Sequence, residues 1–279
     1  MAILSGHGMP AQGAPFWDHV YVESDNNDRW GCFGRDIGGN PLCSGTGDSS
    51  FAECLSNPKA FLTTIIVGKS LYAGIIFGTT GVCHQAANRI LFPAGIVVAQ
   101  ARGYGWSIFF YGTFGTDSVP WPELSRCATI HPGTRTSTPS GGLAVAPNDD
   151  KTTQLSRRVR NIYAGANYSQ LPENERLAVA HKELLALADV NLGPNYNPSK
   201  LLEVARLQRH LKERQRELAS QLKSGKLPPT EFSVALRRLL TQVANQCEEI
   251  LGAEDYVKLF GIPAKDAADL IAPPTFNPQ

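Results

Sequence analysis

The 279-residue sequence has little net charge, few charged residues and no long hydrophobic run. The formal net charge is +1, and Asp, Glu, Lys and Arg together make up 18% of the chain. Proteins that bind nucleic acid or anionic membranes through their overall charge carry a strong basic excess, which is missing here. No window approaches the roughly 20 apolar residues of a membrane span, and no basic region followed by an apolar core opens the chain. We therefore expect a cytoplasmic protein with no membrane span and no nucleic-acid partner.

The sequence also lacks the cysteine pairs and loops that hold metals or nucleotides. Six cysteines occur, but none forms a C-x-x-C pair and none has a neighbouring His or Cys in a zinc-type arrangement. The glycine-containing stretch at residues 112–117 has neither the lysine nor the following helix of a phosphate loop. We therefore predict no metal and no organic cofactor.

Glycine is distributed unevenly, with 21 of the 26 glycines in residues 1–150. A stretch rich in Thr, Ser, Pro and Gly separates this part from one with helical periodicity. The pattern predicts a core domain over residues 1–135, a linker over 136–152 and an α-helical module over 153–279.

Short β-rich runs around one central helix characterise the first domain. Residues 19–23 form such a run, and residues 29–33 could return as its hairpin partner. Two more runs, 95–100 and 106–111, are separated by a glycine-containing turn, and residues 127–131 add another. Several strands with one helix predict an α+β core.

The second part has the apolar period of amphipathic helices. We predict helices over residues 153–166, 173–190, 199–223, 230–251 and 254–260. The two longest form an antiparallel hairpin, and their apolar stripes pack within the chain. The alternative for these stripes is a seam between copies, giving a homo-oligomer through the C-terminal helices.

Residues 78–91 combine a glycine-rich lead-in with a cysteine at the start of a predicted helix. Good helix formers follow Cys83, and Pro93 ends the run. Free N–H groups at a helix start stabilise a thiolate and can bind an oxyanion. Cys83 is therefore the candidate nucleophile, and the alternative is a small buried core residue, as most free cysteines are.

A nucleophilic cysteine needs a base within hydrogen-bond reach. His84 is adjacent to Cys83, and neighbouring side chains on a helix point about 100° apart, so His84 and Gln85 are candidates for lining a pocket. His19 and His131 each lie at the end of a predicted strand, which is a rigid mount for an imidazole. The residues themselves leave both open as the base.

Two short motifs resemble the papain-like NlpC/P60 superfamily. Asp18-His19-Val20-Tyr21-Val22-Glu23 resembles its histidine strand, and Cys83-His84-Gln85-Ala86-Ala87-Asn88-Arg89 resembles its helix that begins with cysteine. The order, histidine before cysteine, is that of the circularly permuted branch. The resemblance covers residues 17–115, implies a small antiparallel sheet packed on the Cys-bearing helix, and favours His19 as the base. His131 takes that role if the core is not permuted.

A third catalytic residue is not evident after His19. Glu23 shares a strand face with His19 but lies farther along the strand, so it is a pocket candidate. We therefore expect a papain-like α+β thiol-enzyme core followed by an all-α module. Its predicted activity is that of a hydrolase or acyltransferase on an amide or peptide-like bond, through a thioester. The alternative is a non-catalytic binding or scaffold protein that uses the helical half, with Cys83 structural.

Overall fold

The computed structural model describes the chain over nine ranges, which are residues 3–11, 14–24, 29–31, 80–91, 97–98, 101–116, 129–135, 150–163 and 171–271. Within these ranges, four strands lie in the N-terminal half. They are β1 (Ile3–Ala11), β2 (Ala14–Ser24), β3 (Arg29–Gly31) and β4 (Thr129–Arg135).

The strands form one sheet in the order β3-β2-β1-β4. β1 pairs antiparallel with β2 and places Met9 opposite His19. β3 is short and pairs only with residues 21–23 of β2. β4 lies parallel to β1 and places His131 opposite Ser5. The edge of β2 that faces away from β1 therefore extends past the end of β3.

Seven α-helices and one 3-10 helix complete the described chain. They are α1 (Cys83–Leu91), α2 (Tyr104–Tyr111), α3 (Asp150–Tyr163), α4 (Glu173–Asn191), α5 (Pro198–Lys223), α6 (Pro229–Leu251), α7 (Ala253–Phe260) and the 3-10 helix Ala264–Ile271. The five helices predicted for the second half are confirmed to within a few residues at each end.

The ends of α5 and α6 follow from local sequence. The side chain of Asn197 accepts hydrogen bonds from the N–H groups of Ser199 and Lys200, and a proline opens the first turn of each helix. Gly225, at φ 72°, ends α5 in the left-handed conformation that glycine adopts without strain. The connection is short, and the apolar faces of α5 and α6 pack against each other within the chain.

Helix α2 overturns the predicted hairpin, because residues 106–111 are helical and not a strand. All eight residues of α2 are buried. A helix that is buried on every side has no polar face, and its sequence therefore has no 3.6-residue period. Its aromatic residues are typical of strands, so propensity predicted the wrong element and tertiary packing decided it.

The predicted fold class, a papain-like α+β core with a small antiparallel sheet, is wrong because the described chain is mostly helical. The strand arrangement differs as well, since β1 and β4 are parallel. Burial of the apolar α2 against the amphipathic helices of the second half builds the hydrophobic core, which short-range β propensity did not anticipate.

The helical half packs directly on the first half of the chain. The indole N–H groups of Trp17 and Trp106 donate to main-chain oxygens of Asp266 (3.1 Å) and Ala267 (3.2 Å) in the 3-10 helix. Gly105 lies so close to α7 that an added Cβ would be 2.5 Å from the main-chain oxygen of Leu259. The predicted linker at 136–152 lies mostly outside the described residues, and the domain division stays a prediction.

Candidate functional site

Cys83 is the first residue of α1, at the place where this helix meets strand β2. Its side chain is buried, with 7% of its surface exposed, and its thiol donates to the main-chain oxygen of Asp18 at 3.8 Å. The N–H of Asp18 donates to the main-chain oxygen of Arg102 at 3.3 Å. The edge of β2 beyond β3 is therefore covered by the start of α1 and by the turn before α2.

The thiol of Cys83 lies between opposing electrostatic effects. Burial removes the water that would solvate a thiolate, and it raises the pKa of Cys83 from 9.0 to about 11. The backbone N–H groups of Val20, His84 and Cys83 act in the other direction, because each favours the thiolate. Burial is the larger effect, so Cys83 is a neutral thiol at neutral pH.

His84 is held on both sides of its ring. Its Nε2 lies 3.0 Å from the main-chain oxygen of Asp18, and its Nδ1 lies 2.8 Å from Oγ of Ser107 on α2. Burial lowers the pKa of His84 from 6.5 to about 4, so the ring is neutral at neutral pH. Both nitrogens already have partners, and this agrees with the sequence argument that His84 is not the base for Cys83.

Gln85 caps the helix and joins it to the chain after α2. Its Oε1 accepts from the N–H of Val82 at 3.0 Å, which is the bond that glutamine makes in a capping box. Its Nε2 donates to the main-chain oxygen of Gly112 at 3.0 Å. The predicted pocket residue Gln85 is therefore fully buried and engaged in structural hydrogen bonds.

The three other predicted residues lie on strands, and their side chains are outside the described part of the structure. His19 and Glu23 are on β2, and His131 is on β4. The main chain of β2 is adjacent to Cys83 on both sides of His19, through Asp18 and Val20. β4 is separated from β2 by β1.

The carboxylate of Asp18 binds the turn before α2. One oxygen accepts from the N–H of Arg102 at 2.8 Å, and the other forms an ion pair with Nε of Arg102 at 2.9 Å. The Asp18 side chain is fully buried, whereas that of Arg102 is partly exposed. The pair fixes this part of β2 against the start of α2, and sequence reasoning missed it because the two residues are 84 positions apart.

The segment that follows α2, Gly112–Phe114, is held by polar side chains of α1. Besides the bond from Gln85 to Gly112, Asn88 donates to the main-chain oxygen of Thr113 at 2.8 Å and Arg89 to that of Phe114 at 2.7 Å. All three side chains are buried. Sequence reasoning missed the structural role of Gln85 and Asn88. The available signal was their spacing, which puts them with Arg89 on one helix face.

The helical half holds the same segment from the other side. Glu183 of α4 accepts from the N–H of Thr113 at 3.0 Å and from the hydroxyl of Tyr163 at 2.6 Å. Gln208 and Lys212 of α5 donate to the last carbonyls of α2, at 3.0 and 2.7 Å. Burial raises the pKa of Glu183 and lowers that of Lys212 to about 8. The second half thus contributes to the position of α2 and of the segment after it.

Comparison of the chain with models of protein families, with curated proteins and with solved structures finds no match. The resemblance to the NlpC/P60 superfamily therefore stays a prediction. Within the described ranges, no three or more His, Cys, Asp and Glu side chains are grouped so that they could hold a metal ion. Of the helices that the structure describes, none has the length and hydrophobicity to cross a membrane.

Proposed function

We propose that the protein is a cysteine-dependent hydrolase or acyltransferase that acts on an amide or peptide-like bond. Cys83 attacks the carbonyl carbon while the thiol proton passes to the imidazole of His19. Backbone N–H groups at the start of α1 bind the oxyanion. The imidazole then protonates the departing amine, and the acyl group remains on sulfur as a thioester, which water or an acceptor amine resolves.

The observation that carries this proposal is the contact of the Cys83 sulfur with the main chain on each side of His19. The sulfur lies 3.8 Å from the oxygen of Asp18, and the N–H of Val20 favours its thiolate. A nucleophile and its base must lie within hydrogen-bond reach, and residue 19 is the position between these two contacts. This supports a thiol and imidazole pair built from α1 and β2.

The strand order supports His19 over His131 as the base. β1 separates β4 from β2, and two strand spacings amount to about 10 Å. The main chain at His131 is therefore farther from the Cys83 thiol than the main chain at His19 is. His131 remains the alternative base. The rate of Cys83 acylation, compared between His19→Ala and His131→Ala, separates the two, because only loss of the true base slows the reaction.

The raised pKa of Cys83 determines how the reaction would start. A thiol with a pKa of about 11 is protonated at rest, so the base must remove its proton as the sulfur attacks. We therefore do not expect a preformed thiolate, whose titration midpoint would lie well below the free-thiol pKa of about 8.5. The rate should therefore follow the titration of the base.

The test is acetylation by p-nitrophenyl acetate, followed by release of p-nitrophenolate and by mass spectrometry of the cysteine peptides. We expect acetyl-Cys83 to form fast and to decay as it hydrolyses, and we expect Cys83→Ala to abolish the burst. Cys247 is the matched control because it is also a buried free thiol. If Cys83 is acetylated no faster than Cys247, the proposed enzymatic function is excluded.

The burial of Cys83 favours a second candidate function, a non-catalytic binding or scaffold protein that uses the C-terminal helices. Only 7% of the Cys83 surface is exposed. In this case Cys83→Ser leaves partner binding unchanged, and no thioester forms. A peptide-like or small amide substrate belongs to the first candidate only.

A further inference from the structure

The oxygen of Asp18 is a shared acceptor for two neighbouring residues of α1. The thiol of Cys83 approaches it at 3.8 Å, and Nε2 of His84 lies 3.0 Å from it. A main-chain oxygen only accepts hydrogen bonds, so Nε2 must carry a proton. Strand β2 is therefore attached to the start of α1 by one thiol and one imidazole hydrogen bond at a single atom.

Ser107 satisfies the other nitrogen of the tautomer that the Asp18 oxygen fixes. The neutral ring with its proton on Nε2 has a bare Nδ1, which must accept from the hydroxyl of Ser107 at 2.8 Å. When the ring is protonated, the Ser107 hydroxyl can turn its hydrogen to the main-chain oxygen of Tyr104 at 2.9 Å and accept from Nδ1. The bond from Nε2 to Asp18 is retained in both states.

The surroundings of the ring fix its plane. His84 packs between Trp17 of β2 and Tyr104 of α2, with ring centroids 6.4 and 5.8 Å away. The charged group nearest along β2 is the carboxylate of Asp18, which is already paired with Arg102. The ring is therefore oriented by packing on two sides and by hydrogen bonds at both nitrogens.

We propose that His84, oriented by Ser107, is a positioning residue that keeps β2 against Cys83 after the thiol has lost its proton. This rests on the proposed function of Cys83 as a nucleophile. When the thiol proton moves to the base, the bond from sulfur to the Asp18 oxygen disappears and a thiolate faces a carbonyl oxygen. The imidazole bond does not depend on that proton, so it holds the Asp18 main chain, and the adjacent residue 19, in place through the attack.

Two substitutions separate the effect of losing the hydrogen bond to Asp18 from the effect of losing the volume of the imidazole ring. In His84→Gln the side-chain amide can reach the position of Nε2 and still donate to Asp18. In His84→Asn the shorter amide reaches only the position of Nδ1. We expect Cys83 acetylation by p-nitrophenyl acetate to slow about tenfold in His84→Asn and to stay within about threefold of wild type in His84→Gln. The pH profile should change in His84→Asn only.

Thermal melting and the alkylation of Cys247 by iodoacetamide report whether each variant is folded. Equal rates in wild type and folded His84→Asn would overturn the positioning role. Equal losses in both variants that follow their melting temperatures would also overturn it. If wild-type Cys83 reacts no faster than Cys247, the proposed enzymatic function fails instead.

A spectroscopic measurement keeps the inference testable if neither variant folds. Ring ¹⁵N chemical shifts of wild-type His84 should show the Nε2–H tautomer with an unprotonated Nδ1 at neutral pH. In Ser107→Ala the bare Nδ1 loses its donor while Asp18 still requires a proton on Nε2, so we expect the same tautomer, a less well oriented ring and slower acetylation of Cys83. A wild-type ring protonated on Nδ1 alone would refute the arrangement.

Discussion

Helices α1 and α6 each bury a free cysteine, but the two thiols have different neighbours. Cys83 on α1 lies against a main-chain oxygen and three backbone N–H groups, whereas the surroundings of Cys247 on α6 raise its pKa through burial alone. The same helix face of α6 carries Leu240, Val243 and Ala244, which are all buried. On α1 the buried side chains beside Cys83 include four polar ones, which are His84, Gln85, Asn88 and Arg89.

The difference teaches that the two regions are held by different forces. Packing of apolar side chains is non-directional and tolerates small shifts. A buried polar group must keep its hydrogen-bond partners in position, and losing one partner costs more than the bond contributes. The region around Cys83 is therefore the one in which the structure fixes atoms to a defined geometry.

The largest expected effect is on a buried amide of α1. Asn88 donates to the hydroxyl of Tyr104 and to the oxygen of Thr113, and it accepts from the N–H of Val98. Asn88→Ala leaves these three groups without partners, so we expect a loss of roughly 3–6 kcal/mol in the free energy of unfolding. Urea denaturation measures it, and the exposed Asn245→Ala on α6 is the control. A loss below about 1 kcal/mol would show that the polar region is not held in this way.

Next in size is the removal of an apolar side chain from the α6 face. Leu240 is completely buried, so Leu240→Ala should cost about 3 kcal/mol through lost burial and a cavity. Leu202→Ala, at a leucine that is 50% exposed, should change stability little. Urea denaturation compares the pair, and a small change at Leu240 would mean that the helices readily repack.

Acid should weaken the polar region through His84. The pKa of His84 is lowered to about 4, against 6.5 in the unfolded chain, so the folded state excludes a proton that the unfolded state binds. Its contribution is complete above pH 6.5 and is lost as the pH falls through 4, about 3 kcal/mol in all. Unfolding free energies at several pH values measure this loss. His84→Gln should flatten the curve in this window, and an identical slope in both proteins would contradict the assignment.

The smallest expected effect is at the close contact between α2 and α7. A methyl group at Gly105 would lie 2.5 Å from the oxygen of Leu259 and 3.0 Å from Cα of Phe260, so α2 and α7 must separate. We expect Gly105→Ala to lower stability by about 2 kcal/mol, although alanine favours a helix by about 1 kcal/mol over glycine. The control is Ser233→Ala, an exposed position on α6. A rise in melting temperature for Gly105→Ala would show that the contact is loose.

The candidate site could be predicted only in part. Cys83 was found from a helix start after glycines, and that start is where the structure has it. The hydrogen-bond partners of Cys83 and His84 could not be found, because Asp18 and Ser107 are far from them in sequence and residues of these types serve ordinary roles in most proteins. The spacing of Gln85, Asn88 and Arg89 puts them on one helix face, but it does not tell whether that face is buried or solvated.

The sequence by itself determined the helices of the second half. Their apolar period, proline starts and glycine ends are local properties, and helix boundaries depend on them. The tertiary structure alone decided that residues 104–111 form a helix, since a segment buried on all sides carries no period. It also decided that the polar face of α1 points inward, because the groups that satisfy it come from α2 and from the segment after α2, which the fold brings together.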